Sequence, residues 1–171
     1  MARTMTDAEF TEFAHAAWPG LYRTAYLLVG DHQLAEDLTQ TALAKTYGSW
    51  HKVKDPAAAR SYARVVLVNT AASWFRRRSW RNEQPTEHLP DAGVDLDPST
   101  RTAVLGALAG LAPRQRAVVV LRYYDDLTVG EVAHALGITE GTVKSQTSDA
   151  LARLRASLGD DVTTIEAAHH D

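Results

Sequence analysis

Between Asn69 and Arg81 the chain reads NTAASWFRRRSWR, with Trp74, Phe75 and Trp80 interleaved with Arg76, Arg77, Arg78 and Arg81. Flat rings can stack on unpaired bases while guanidinium groups meet phosphates, so this combination is suited to single-stranded nucleic acid. An alternative is that the rings are core and the arginines a solvated helix end. The wider stretch Arg60–Arg81 holds six arginines and no acid, which favours the nucleic-acid reading. Asn69, Trp74, Arg76, Arg77 and Arg78 are the candidate binding residues here.

A second set lies in DLTVGEVAHALGITEGTVKSQTSDALARLR, residues 126–155. Thr128 with Glu131 forms a capping box, and Leu127 with Val132 can form the accompanying hydrophobic staple. Gly137 stands where a left-handed residue ends a helix, and Thr139 caps the next. Val143, Ala150, Leu151, Leu154 and Leu158 form the apolar stripe of that second helix, and at 100° per residue Thr142, Ser145, Ser148 and Asp149 point away from it. Lys144 and Arg155 lie on one flank, Gln146 and Arg153 on the other. An apolar back, a small polar front and basic flanks are what a recognition helix needs in a major groove. Any αα-hairpin with a solvated face shares the spacing. The candidates are Thr142, Lys144, Ser145, Gln146, Ser148 and Arg153.

Other chemistry has no residues to carry it. Cysteine is absent, and His15, His32, His51, His88, His134, His169 and His170 show no metal-ligand spacing. There is no HExxH, P-loop, GxGxxG or GxSxG pattern. No metal, no cofactor and no enzymatic reaction are expected.

The elements that position these residues read as helices throughout. Thr6 with Glu9 starts a helix carrying Phe10, Phe13, Ala17, Leu21, Tyr22, Ala25 and Leu28, with Pro19 expected to kink or break it and Gly30 to end it. Asp31 caps the next, whose face is expected to be Leu34, Leu38, Thr41, Ala42 and Tyr47. In its DLTQ segment, Asp37 and Gln40 project together and could grip a partner helix, although composition alone reads them as a solvated face. Asp55-Pro56 starts a helix that runs through the VVLV at 65–68 into the Arg-rich segment. A further helix from Ser99 or Thr100 carries Val104, Leu105, Leu108 and Leu111 and stops before Pro113.

Net charge is −3, but its distribution is informative. Residues 1–82 carry +4 and residues 99–158 carry +2, whereas 83–98 carry −5 and 159–171 carry −4. Residues 83–98, EQPTEHLPDAGVDLDP, read as a linker, and the acidic tail 159–171 lacks periodicity. DNA affinity comes largely from phosphate neutralisation. A chain this poorly charged should therefore bind duplex weakly alone and act with a larger partner. No apolar run approaches the ~18 residues that span a bilayer, and no signal peptide is evident, so a cytoplasmic protein without membrane contact is expected.

Taken together, LAPRQRAVVVLRYYDDLTVGEVAHALGITEGTVKSQTSDALARLR, AEDLTQTALAKTY and the Asn69–Arg78 segment, in this order, resemble a bacterial RNA polymerase sigma factor of the extracytoplasmic-function class, in its SigE-like actinobacterial branch. The similarity covers residues 8 to about 158. It implies an all-α fold: a first domain over 1–82, the acidic linker 83–98, a helix-turn-helix domain over 99–158 and a flexible tail. The resemblance also implies that the first domain docks on the β′ clamp helices of core RNA polymerase, with Asp37, Leu38 and Gln40 in contact, and opens the −10 element of promoter DNA with Asn69, Trp74 and Arg76 to Arg78. The second is implied to bind the β flap and read the −35 element through Thr142 to Gln146. An anti-sigma factor is a candidate further partner. Many relatives carry Arg at the position of Gln146 and a basic residue at that of Asp149, so the −35 sequence does not carry over. The rival is a stand-alone helix-turn-helix regulator, which would dimerise and bind an operator unaided.

Overall fold

The computed structural model describes residues 4–78 and 98–159. The acidic linker apart from Pro98, and the tail apart from Gly159, lie outside the described residues, as do Trp80 and Arg81. The order is α1 (Asp7–Val29), α2 (His32–Gly48), a single 3₁₀ turn (Trp50–Lys52), α3 (Pro56–Arg78), α4 (Pro98–Ala109), α5 (Pro113–Val119), a π-helical turn (Val120–Tyr124), α6 (Val129–Leu136) and α7 (Glu140–Leu158). Among the described residues there is no strand.

The helix boundaries follow local chemistry. The Thr6 hydroxyl accepts from Glu9 N at 3.2 Å and Glu9 returns the bond to Thr6 N at 2.7 Å, and Thr128 with Glu131 repeats the pair at 3.1 and 2.8 Å. Asp31 accepts from Leu34 N at 2.9 Å, and Asp55 from Ala57 N at 3.1 Å. Gly137 closes α6 in the left-handed region, with φ +65. An alanine Cβ there would meet nothing within 4 Å, so only backbone strain opposes it. Gly137→Ala should therefore cost about 1–2 kcal/mol, seen as a lower urea midpoint at unchanged slope.

Three expectations are corrected. α1 continues through Pro19, so the expected break is absent there, and Pro19 lies on the exposed side, where water can satisfy the carbonyl that loses its donor. The buried face of α2 is Ala35, Leu38, Thr39, Ala42, Leu43 and Thr46, whereas Thr41 is only partly covered and Tyr47 stays 47% exposed. Small residues win because α2 is sandwiched between α1 and α3, and Thr39 and Thr46 satisfy their buried hydroxyls on Ala35 O and Ala42 O. α4 begins at Pro98, whose missing N–H costs nothing at a first helical position.

α1, α2 and α3 pack on one another, and α4, α5 and α6 each pack on α7; these sets are called the first and the second unit below. Both contribute to one apolar cluster, with Leu28, Leu38, Leu67 and Val68 from the first and Val118, Leu121, Val132 and Val143 from the second. A smaller cluster of Leu108, Leu111, Val119, Ala150 and Leu154 holds α4 and α5 to α7.

Candidate nucleic-acid interface

The candidate recognition helix, α7, is set by its ends and its back. Thr139 caps α7 by accepting from Thr142 N at 3.1 Å, and Val143, Ala150 and Leu154 are buried beneath it. With that stripe fixed, Lys144, Ser145, Ser148, Asp149, Arg153 and Arg155 are exposed and Thr142 and Gln146 are half-exposed. Small hydroxyls at the front leave room for a groove edge. Ser145 donates to Thr142 O at 3.1 Å, which still leaves its oxygen free to accept. Arg153 reaches Gln115 Oε1 at 3.4 Å, which holds it along the helix flank.

Beside α7 lies an open cavity of about 330 Å³ lined by Arg122, Val129, Lys144, Thr147, Ser148, Leu151 and Arg155. Three cations around a concave surface beside α7 suit a phosphate. Arg122, held by donation to Leu127 O at 2.6 Å, is a member that sequence reading missed. Its signal is weak because it sits within VLRYY, a stretch that reads as core.

The Arg-rich end of α3 is less open than its composition suggests. Asn69 and Arg77 are exposed, and the side chains of Arg76 and Arg78 lie outside the described residues. Trp74 and Phe75 are half-buried and pack against the cluster shared by the two units. The Arg116 guanidinium of α5 lies over the Phe75 ring, 5.2 Å from its centroid, in cation–π geometry. Arg116 also donates to Leu108 O at 2.8 Å, to Ala109 O and Leu111 O at 3.1 Å, and across the units to Leu28 O at 2.7 Å. Burial pulls its guanidinium below the ordinary arginine range.

On α2, Asp37 and Gln40 are exposed, with Gln33 Nε2 donating to Asp37 Oδ1 at 3.2 Å. Leu38 between them is fully buried. As a direct contact residue it is therefore corrected: its side chain anchors α2 from below and cannot touch a partner while the helix stays packed.

The turn after α2 adds cationic surface that sequence reading passed over. Trp50 is buried, with its indole N–H donating to Thr6 O at 2.8 Å and its ring 5.2 and 5.3 Å from Phe10 and Phe13. This anchor leaves His51, Lys52 and Lys54 exposed. Next to it an open groove of about 660 Å³ runs between Glu9 and Glu12 of α1 and Arg60 and Arg64 of α3. The sequence signal is present, since two lysines and a histidine flank one tryptophan, but it falls outside the acid-free arginine stretch.

Comparison with known proteins places both units. Residues 15–81 match the family model for Sigma-70 region 2, and residues 107–156 match that for Sigma-70, region 4. The chain is 45% identical over 153 residues to an RNA polymerase sigma-E factor of Streptomyces avermitilis, covering 88% of this chain and 85% of the relative. It is 33% identical over 150 residues to the ECF RNA polymerase sigma factor SigL of Mycobacterium tuberculosis, covering 81% of this chain and 82% of that one. In fold it is similar to the sigma factor RpoE of Bartonella quintana, solved in complex with the anti-sigma factor NepR, with TM-score 0.73, 24% identity and coverage of 88% and 96%.

Proposed function

Since the chain belongs to the sigma-70 family of RNA polymerase sigma factors, in its extracytoplasmic-function class, we propose how its described surfaces divide the work of initiation. It is a transcription initiation factor and not an enzyme: it binds core RNA polymerase and directs it to promoters. That work places it in the cytoplasm. The single observation that carries the division of labour is that two modules of different design, matching Sigma-70 region 2 and region 4, occur in that order on one chain. α7 offers small hydroxyls and cations to duplex DNA, and the end of α3 offers rings to unpaired bases.

In this reading α7 and the Arg122, Lys144 and Arg155 cavity hold the −35 duplex, which supplies affinity through phosphates and register through base edges. Asn69, Trp74 and Arg76 to Arg78 stabilise the opened −10 strand. Asp37 and Gln40, held outward by buried Leu38, meet the β′ clamp helices, while the second unit meets the β flap. An anti-sigma factor remains a proposed regulator. The stand-alone regulator is not favoured, because it leaves the sigma region 2 module without a role.

Opening DNA costs a few kcal/mol in unstacking per flipped base, and each base stacked on an aromatic ring returns ~1–3 kcal/mol. Trp74→Ala should therefore lower promoter opening by roughly 5- to 150-fold at 1.4 kcal/mol per decade, read as permanganate reactivity of −10 thymines in the holoenzyme. Trp74→Phe, which keeps a ring, should recover most of it. Equal opening by all three proteins would remove Trp74 from this role. Core dependence is checked by gel shift: promoter DNA should be retarded by the protein with core polymerase and not by the protein alone at physiological salt.

A further inference from the structure

The cavity beside α7 has a second candidate anion within its own chain. Its cations, Arg122, Lys144 and Arg155, stand around an apolar floor of Val129 and Leu151. Arg155 lies on the last turn of α7, where its carbonyl accepts from Gly159 N at 2.8 Å. Gly159 has φ +64 and ψ −137, a conformation that L side chains rarely adopt, so the helical path ends there. Residues 160–171, DDVTTIEAAHHD, lie outside the described residues, but their composition is the complement of the cavity. Asp160, Asp161, Glu166 and Asp171 stand among them without a lysine or arginine, and Val162 and Ile165 fall between Asp161 and Glu166. The length matches as well. Lys144 lies fourteen residues before Leu158, about 21 Å along the helix. The seven residues from Gly159 to Glu166 span up to about 24 Å when extended. A path back along α7 therefore carries acids past the whole cavity.

We propose that residues 160–171 are an intramolecular competitor for DNA phosphate: their carboxylates occupy the Arg122, Lys144 and Arg155 cavity, with Val162 and Ile165 against Val129 and Leu151, and duplex DNA must displace them. The inference rests on the proposed role of the cavity as a phosphate site. It gives the duplex-reading module a threshold. Non-specific binding is supplied essentially by phosphate contacts, whereas base edges add contacts that the acids do not contest. A tethered anion lowers affinity for every duplex by the same factor, which empties sites held through phosphates alone and leaves those that also engage the front of α7.

The test is fluorescence anisotropy of a fluorescein-labelled random-sequence duplex at low salt, with the chain carrying Asp160→Asn/Asp161→Asn/Glu166→Gln set beside the wild type. A short tether presents its anion at mM effective concentration. A contact about tenfold tighter than that leaves the cavity open ~10% of the time, and since apparent affinity scales with the open fraction, the variant should bind duplex about tenfold more tightly. Repeating the three changes in a Lys144→Ala/Arg155→Ala background separates contact from general charge: the gain should then fall below about twofold, because the acids have lost their site. A gain of the same factor in both backgrounds is a long-range charge effect and overturns the proposal, as does no gain in either. A gain that grows with protein concentration, with a dimer in light scattering, puts the acids on a second copy and overturns the intramolecular contact. If Lys144→Ala/Arg155→Ala leaves duplex affinity unchanged even in the chain with neutralised acids, the phosphate reading of the cavity fails first, and the proposal falls with it.

Discussion

Replacing Asp37 and Gln40 together by alanine should weaken binding to core RNA polymerase by about 30-fold or more, since a central interface residue is worth ~2 kcal/mol or above. Both side chains are exposed on α2 while Leu38 beneath them is fully buried. The double variant should therefore keep its helical signal and thermal midpoint. Leu38→Ala makes the opposite signature: it leaves a cavity in the core and costs ~2–5 kcal/mol of stability. Titration of labelled polymerase, set beside thermal unfolding of each variant, separates the two. Full-strength polymerase binding by the Asp37→Ala/Gln40→Ala protein would remove α2 from the docking surface.

The second large effect concerns α7. Lys144→Ala and Arg155→Ala, on the cavity shared with Arg122, should weaken holoenzyme binding to all promoters alike and lower the salt slope by about 1 each. Gln146→Ala should act differently, costing ~1–3 kcal/mol at one base pair of the −35 element and little elsewhere. The physical reason is the division between the two flanks: the cations face a concave surface of about 330 Å³, whereas Gln146 lies half-exposed on the opposite flank, where its amide can pair with a base edge. Competition with −35 variants across a salt series reads both quantities. Loss of base preference in Lys144→Ala, with none in Gln146→Ala, would reverse the assignment.

Local chemistry was the legible part of this chain. Thr6 with Glu9, Asp31, Thr128 with Glu131, and Thr139 name their helices because each cap satisfies donors only a few residues away. The β-branched run at 65–68 stays helical because a strong start at Asp55-Pro56 and the long continuation leave no place to end. What lay beyond reach depends on tertiary neighbours. The face of α2 rotates toward Ala35, Thr39 and Thr46 because helices on both sides favour small residues, and periodicity alone had assigned Thr41 and Tyr47. Arg116 has no local signal that names its partners: it bonds a carbonyl 88 residues away and covers Phe75. Leu38 was grouped with its polar neighbours through motif likeness, and burial separates it from them.

The most direct test of the central claim is run-off transcription with purified core RNA polymerase and genomic fragments, with this protein added or omitted. The account predicts discrete transcripts that appear only with the protein and that share −10 and −35 elements upstream of their starts. No transcript, together with no association between the protein and core polymerase, would contradict it.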